Sequence, residues 1–165
     1  MTMTRKPFIE WLVALTLSFG TAGIGGSLTK LDDWYYGLVQ PWFKPPDILF
    51  GPVWTVLFCL MAWSGVLAWR SVTADPVTTR ARRNVLLALW AFNGMANIGW
   101  SALYFYLQRP SWALVEMPVL WLSIWLLIRH LAPYNVKAAR LLWPYLAWVS
   151  FAAALNVATV LLNPV

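Results

Sequence analysis

Few side chains in this chain of 165 residues could carry acid–base, nucleophilic or metal chemistry. It has one cysteine, Cys59, and one histidine, His130, which exclude an internal disulfide, a cysteine cluster and a two-histidine metal site. Asp and Glu number only six. The sequence therefore predicts no catalytic residue and no metal site, and it leaves the question of an enzyme open without favouring one.

Tryptophan is the residue that could bind a ligand, because the chain has 13 of them. An indole ring offers a flat π face and a single N–H donor. Aromatic walls with few polar groups are typical of sites for apolar small molecules. A tryptophan in a membrane span, however, is more often an interface anchor or a packing residue.

These side chains must be positioned by membrane-spanning helices. Hydrophobic residues make up 61% of the chain and charged residues 11%, whereas soluble domains carry about 25% charged residues. A spanning helix needs about 20 mainly apolar residues. Five segments meet this requirement, at residues 8–28, 48–69, 84–107, 111–128 and 139–162. The sequence predicts an all-α integral membrane bundle of five transmembrane helices, in a single domain over residues 1–165, with the lipid bilayer as its partner.

The basic residues predict the orientation. Five crossings place nine of the 12 Lys and Arg residues on the side of the N-terminus and three on the other. Cytoplasmic loops carry the excess of Lys and Arg, so we expect a bacterial inner membrane protein with a cytoplasmic N-terminus. The basic residues lie between apolar runs rather than along one exposed face, so the net charge of +6 does not indicate nucleic acid binding.

Two patterns predict how the helices pack. The connection between the third and fourth spans is only about 108–110, so these spans should be antiparallel neighbours. Small residues, which let helices approach closely, recur every four positions along the first span at Ser18, Ala22 and Gly26.

Two polar side chains lie at predicted membrane depth. An unpaired amide there would cost several kcal/mol, so Asn97 must pair with another helix, a water or a ligand, and pairing between helices is the commoner case. Glu116 is either functional or paired with Arg109 at the start of the fourth span.

The connection at residues 29–46 is rich in aromatic residues and proline. Prolines fix φ and remove backbone donors, so the loop is not a continuing helix. It is either a lid on the mouth of the bundle or an aromatic belt at the membrane interface, and the two readings are evenly balanced. The residues in question are Trp34, Tyr35, Pro41, Trp42, Pro45 and Pro46. Asp47, directly after them, could cap the second span.

Four separated motifs resemble the translocator protein family, whose members are also called tryptophan-rich sensory proteins or peripheral benzodiazepine receptors. The motifs are Trp34-Tyr35-x-x-Leu38-x-x-Pro41-x-x-x-Pro45-Pro46 with Gly51-Pro52-x-Trp54, then Asn97-x-x-Trp100, then Trp112-Ala113-Leu114-Val115-Glu116, and finally Ala139-Arg140-Leu141-Leu142-Trp143-Pro144-Tyr145-Leu146-Ala147-Trp148 with Leu155-Asn156. The motifs occur in the same order as in the family and cover nearly the whole chain.

The resemblance implies a homodimer of five-helix bundles, each with a pocket closed by the first loop. It implies no required cofactor, and its ligands include porphyrins such as protoporphyrin IX and haem, cholesterol, isoquinoline carboxamides and benzodiazepines. The implied function is a membrane receptor or sensor for tetrapyrroles or similar apolar molecules. The alternatives are a passive transporter of such ligands and a protein that degrades porphyrin in light.

The resemblance also implies which residues contact the ligand. By position in the motifs these are Trp54, Asn97, Trp100, Trp112 and Trp148, with Tyr145, Ala152 and Leu155 bordering Trp148 on the fifth span. Trp100 and Trp148 lie deep in their predicted spans, whereas Trp112 lies near a span end, where aromatic belts form.

The C-terminus departs from the family. Animal members carry a proposed cholesterol motif there, with a Tyr followed by Arg or Lys. Residues 155–165 of this chain contain neither an aromatic residue nor a cation. The sequence therefore argues against cholesterol as the natural ligand and leaves a porphyrin open.

Overall fold

The computed structural model describes residues 7–74 and 80–164, in which every regular element is helical. The basic residues Arg5 and Lys6, used above for orientation, lie outside the described residues. The elements are α1 (Pro7–Leu28), α2 (Asp33–Gly37), a 3-10 turn (Asp47–Leu49), α3 (Phe50–Ala74), α4 (Arg80–Ser101), a π-helical turn (Ala102–Tyr106), α5 (Pro110–Leu131), α6 (Val136–Arg140) and α7 (Trp143–Leu162).

Five helical segments among the described residues are long and apolar enough to cross a membrane, which confirms the predicted all-α bundle. They are Phe8–Leu28, Asp47–Ala74, Arg80–Tyr106, Pro110–Leu131 and Val136–Leu162. The second span continues beyond Trp69 through Arg70 to Ala74, and the third begins before Asn84 with Arg80, Arg82 and Arg83, so arginines take part in both extensions. Long arginine side chains can do this, since their stems cover apolar surface while the charged heads reach water.

The fifth span is a short helix followed by a long one. Asn135 caps α6 by accepting a hydrogen bond from the amide of Ala138 at 2.9 Å. The helix ends at Arg140, and α7 begins at Trp143 with Pro144 in its first turn. Proline has no N–H and fits the first turn of a helix but not its interior, so the break falls directly before it.

The helices pack in a consistent order. α1 lies on α3 and α4, while α5 lies between α4 and α7. Contact between α4 and α5 agrees with their short connection, where Gln108 adopts a positive φ of 54° to make the turn. The outer face of α1, with Phe8, Leu17 and Ile24, is exposed and available to lipid.

Two residues of the predicted stripe on α1 are packed in the bundle, since Ser18 is buried and Ala22 lies against the hydrophobic core, but Gly26 is not in close contact. A Cβ at Gly26 would meet nothing within 4 Å, whereas one at Gly25 would lie 3.4 Å from the Ser101 hydroxyl. A Cβ at Gly94 of α4 would likewise lie 3.2 Å from the Thr21 hydroxyl. Gly25 and Gly94 therefore allow α1 and α4 to approach, while Gly26 faces open space.

Candidate functional site

A cavity of about 440 Å³ lies between α1, α3, α4 and α7, below the first loop. Its wall is mostly apolar, and its size is within the usual range of small-molecule sites. The helices contribute Phe19, Ala22, Gly25 and Gly26 of α1, Phe50, Gly51, Trp54, Thr55 and Phe58 of α3, Asn97, Trp100 and Ser101 of α4, Phe105 of the π-helical turn, and Trp148 and Ala152 of α7. The first loop and the 3-10 turn add Thr29, Leu31, Tyr35 and Asp47.

Trp54 gives the cavity a flat aromatic wall. Its ring stacks on Phe58, with 5.6 Å between ring centroids and 28° between the planes. The edge of Tyr145 meets it at 6.0 Å. Because both neighbours are held in the helix core, the Trp54 ring is fixed in position without any ligand.

Trp148 lies on another wall of the same cavity. Its ring meets Phe50 edge-on at 5.6 Å and Phe151 at 5.5 Å. Its Nε1 is buried and has no hydrogen-bond acceptor among the described residues. A buried donor without a partner costs free energy, so a ligand acceptor that reached this N–H, after a small shift of the side chains that cover it, would recover that cost.

Asn97 holds two helices together at the floor of the cavity. Its Nδ2 donates to the Tyr145 hydroxyl at 3.0 Å, and both residues are buried. This is the pairing between helices that the sequence favoured. Tyr145 itself lies behind the cavity wall, where it contacts Trp54 and Asn97.

Trp100 is held by a second polar pair. Its Nε1 donates to Asn156 Oδ1 at 3.3 Å, and Asn156 Nδ2 donates to the carbonyl of Pro110 at 2.9 Å. The N–H of Trp100 is thus already used within the bundle, unlike that of Trp148. Trp100 offers a ligand its ring face rather than a donor.

The first loop reaches the cavity through Tyr35. Its hydroxyl donates to Asp47 Oδ1 at 2.7 Å, and Lys44 Nζ lies 2.5 Å from the same oxygen. Burial, and then the hydrogen bond to Asp47, raise the pKa of the Tyr35 phenol well above its usual range. Asp47 therefore does not cap the second span, as the sequence suggested, because its carboxylate is held by the loop.

Polar contacts anchor the loop at two further points. The amide and carbonyl of Val39 pair with the side chain of Asn163, at 2.9 and 3.0 Å. Gln108 Nε2 donates to Asp32 Oδ2 at 3.2 Å. The loop is thereby attached to the end of α7 and to the connection before α5.

The other loop residues named above differ in placement. Trp34 packs edge-on against Tyr104 at 6.4 Å. Trp42 is 94% exposed, which suits an interface anchor. Pro41 is buried, Pro45 is half-buried and Pro46 is exposed. Of the named loop residues, Tyr35 is the one that lines the cavity.

Three of the residues expected to contact a ligand lie outside the cavity lining: Tyr145, described above, Trp112 and Leu155. Trp112 is 67% exposed, and no described residue of α5 lines the cavity. Its position at the start of α5 turns the ring outward, as in an aromatic belt. Leu155 is buried one turn beyond Ala152 and lies beyond the lining.

The lining also includes residues that the sequence did not single out. Phe50, Phe58 and Phe105 add aromatic surface. Asp47, which the sequence named only as a possible helix cap, adds a charge. Phe105 belongs to the π-helical turn, where the amide of Leu107 bonds to the carbonyl of Ala102 at 2.8 Å. Such a turn shifts the helical register and is frequent at functional sites, but a periodicity argument does not detect it.

Glu116 remains without a partner in the described part of the chain. Neither of its carboxylate oxygens, both of which are buried, has a hydrogen-bond donor there. The expected pair with Arg109 at the start of α5 is therefore not formed. Glu116 is also not part of the cavity lining.

Comparison with known proteins gives matches over almost the whole chain. A model of the TspO/MBR family matches residues 12–162. The tryptophan-rich protein TspO of Chlorobaculum tepidum is 41% identical over 157 residues, covering 92% of this chain and 93% of that protein. The tryptophan-rich sensory protein of Cereibacter sphaeroides is 30% identical over 157 residues, covering 94% of each. The human translocator protein is 36% identical over 125 residues, covering 74% of this chain and 70% of that protein.

Proposed function

The chain belongs to the TspO/MBR family, as its motifs predicted, and from this premise we propose that it is a membrane receptor or sensor for tetrapyrroles. The ligand, protoporphyrin IX, haem or a similar apolar molecule, binds in the tryptophan-lined cavity. The names of the relatives describe sensory and translocator proteins. The tetrapyrrole comes from the resemblance described above, and the mostly apolar, aromatic wall of the cavity supports it.

One observation carries the proposal, the buried Trp148 N–H on the wall of a mostly apolar cavity. Leaving such a donor unpaired costs about 1–3 kcal/mol. A porphyrin carries carboxylate groups that accept a hydrogen bond, so binding would remove this cost. The stacked rings of Trp54 and Phe58 offer the flat surface that a macrocycle requires.

Titration of tryptophan fluorescence with protoporphyrin IX, haem and a sterol tests the proposal. We expect saturable quenching by the porphyrins. Trp148→Phe keeps an aromatic ring but removes the N–H, so it should weaken porphyrin binding by one hydrogen bond to a charged carboxylate, about 1.5–3 kcal/mol or roughly 12- to 140-fold. Trp112→Phe, outside the cavity lining, is the matched control. Quenching without saturation, or equal weakening in both variants, would overturn the proposal.

A second candidate function is the breakdown of bound porphyrin in light. It is favoured by the presence of two electron-rich indole rings, Trp54 and Trp148, in the wall of one cavity. Illumination of the purified protein with protoporphyrin IX, followed by absorbance, tests it. Pigment loss should be faster with the unaltered protein than with the Trp54→Phe/Trp148→Phe double variant. Equal rates would exclude this function.

We further propose that the protein lies in a bacterial inner membrane with its N-terminus in the cytoplasm, because of the nine-to-three distribution of basic residues. In a Cys59→Ser background, Arg129→Cys should be protected from an impermeant thiol reagent added outside cells, and Arg109→Cys should react. The reverse pattern would invert the topology. The homodimer implied by the resemblance stays a prediction, which the mass of the purified particle tests.

A further inference from the structure

A second cavity, of about 520 Å³, lies on three of the four helices that line the first, α1, α3 and α4, but along the other half of their length. It is a groove between α1, α3 and α4, with Val13 and Leu17 of α1, Trp69 of α3, and Leu87 and Trp90 of α4 among its lining residues. None of these five residues lines the first cavity. The two are therefore separate sites, and the proposed function leaves the groove unused.

The length of the groove matches one leaflet of a bilayer. Its lining on α1 extends from Ile9 to Thr21, which is about 18 Å along a helix axis at about 1.5 Å per residue. Half of the hydrocarbon core of a bilayer is about 15 Å. Leu17 is 65% exposed and Met95 of the same lining is 64% exposed, so the groove is open on the side that faces lipid. One acyl chain would fit along it.

One end of the groove is marked by charged side chains. Glu10 lines that end and accepts from Arg70 Nε at 2.5 Å. Arg83 lies three residues before Leu86 and four before Leu87, both of which line the groove, so it is on the same face of α4. The Nε of Arg83 is buried and has no hydrogen-bond partner among the described residues. Arg83 is not part of the lining, but it lies one helical turn beyond the end of the groove on α4, next to the position that the headgroup of a lipid in the groove would take.

We infer that the groove binds one anionic phospholipid from the leaflet on the basic side of the membrane. One acyl chain lies between α1, α3 and α4, and the phosphate accepts hydrogen bonds from Arg83, beside the ion pair of Arg70 with Glu10. Basic pockets between transmembrane helices are suited to anionic headgroups. A second copy of this chain would cover the apolar part of the groove, but it would leave the buried Arg83 Nε without an anion.

The test uses the full chain purified in detergent and titrated with dioleoyl phosphatidylglycerol or dioleoyl phosphatidylcholine, with bound lipid counted by native mass spectrometry. We expect one phosphatidylglycerol per chain and no retained phosphatidylcholine. Arg83→Gln should weaken phosphatidylglycerol binding at least tenfold, since a hydrogen bond to a charged group is lost. Arg109→Gln, which removes the same charge from the connection directly before α5, outside the groove lining, should not weaken it.

A second pair of variants tests the groove itself. Ala91 lines the groove and is exposed, so Ala91→Leu fills the groove without entering the core. Ala88, also exposed, lies outside the lining and provides the control Ala88→Leu. Ala91→Leu should weaken phosphatidylglycerol binding, and Ala88→Leu should not.

Three results would overturn the inference. They are equal retention of the two lipids, equal effects of Arg83→Gln and Arg109→Gln, and a change in Ala91→Leu from dimer to monomer with unaltered lipid binding. The last would assign the groove to a second copy of the chain. Porphyrin binding is measured separately, so the failure of one proposal does not imply failure of the other.

Discussion

Tyr35→Phe removes the hydroxyl that joins the first loop to the start of the second span. The ring of Tyr35 is buried, and its Oη lies 2.7 Å from Asp47 Oδ1. The variant keeps the ring and its contact with Phe105, at 5.8 Å between centroids. Asp47 also keeps its ion pair with Lys44. The change therefore isolates one hydrogen bond.

The structure sets the expected magnitude. A hydrogen bond to a charged group contributes about 1.5–3 kcal/mol. The side chain of Asp47 is 27% exposed and keeps Lys44, so water can replace part of what is lost and the lower value applies. About 1.5 kcal/mol corresponds to loop opening roughly tenfold more frequent.

Hydrogen exchange of the loop amides, followed by mass spectrometry of the protein in lipid nanodiscs, measures this opening without any ligand. We expect faster exchange over residues 33–49 in Tyr35→Phe, and faster dissociation of bound porphyrin by a similar factor. Tyr36→Phe removes the same atom from the adjacent residue, which is 63% exposed, and should change neither rate. Equal exchange in the two variants would refute the role of the Tyr35–Asp47 hydrogen bond.

Three further predictions concern the contacts around the cavity. Tyr145→Phe leaves the buried Asn97 amide without its acceptor and should lower the free energy of unfolding by about 1–3 kcal/mol. Adding Asn97→Leu to this variant should recover most of the loss. Denaturation in detergent measures the stability of both variants. Asn163→Ala breaks both hydrogen bonds to Val39, so proteases should cut the loop faster; an unaltered cleavage rate would contradict the anchoring. Because the folded-state pKa of Tyr35 is raised, the contribution of its neutral phenol to loop stability is fully present below about pH 10 and is lost as pH rises further. Hydrogen exchange of the loop amides, corrected for intrinsic rates, should therefore stay constant up to about pH 9.

The membrane spans were predictable because length and apolarity alone define them. Their ends were not, since these depend on particular side chains. The fifth span was predicted to start at Ala139, which overlooked the first part of α6. The cap at Asn135 starts that helix, and the break before Pro144 separates it from α7. The third span was predicted to start at residue 84, whereas the helix begins at Arg80. Apolarity does not detect this first turn, because its arginine side chains can extend out of the apolar region.

The cavity was partly predictable from the motifs. Trp54, Trp100 and Trp148 were named from the sequence, and all three line it. Trp112 was also named, but it does not line the cavity. The rotation of α5 about its axis is set by packing against other helices, and the residues next to Trp112 in the sequence do not reveal that rotation. The contribution of Phe105 also could not be predicted, since it depends on a π-helical turn that changes the register after α4.

The free N–H of Trp148 distinguishes a ligand site from an aromatic belt most clearly. Nuclear magnetic resonance of the protein with ¹⁵N-labelled indole rings, assigned by Trp148→Phe and Trp112→Phe, follows this group directly during titration with protoporphyrin IX. We predict that the Trp148 Nε1–H resonance shifts and saturates with the ligand while that of Trp112 does not move. A Trp148 resonance that stays unchanged at saturating porphyrin would contradict the proposed site.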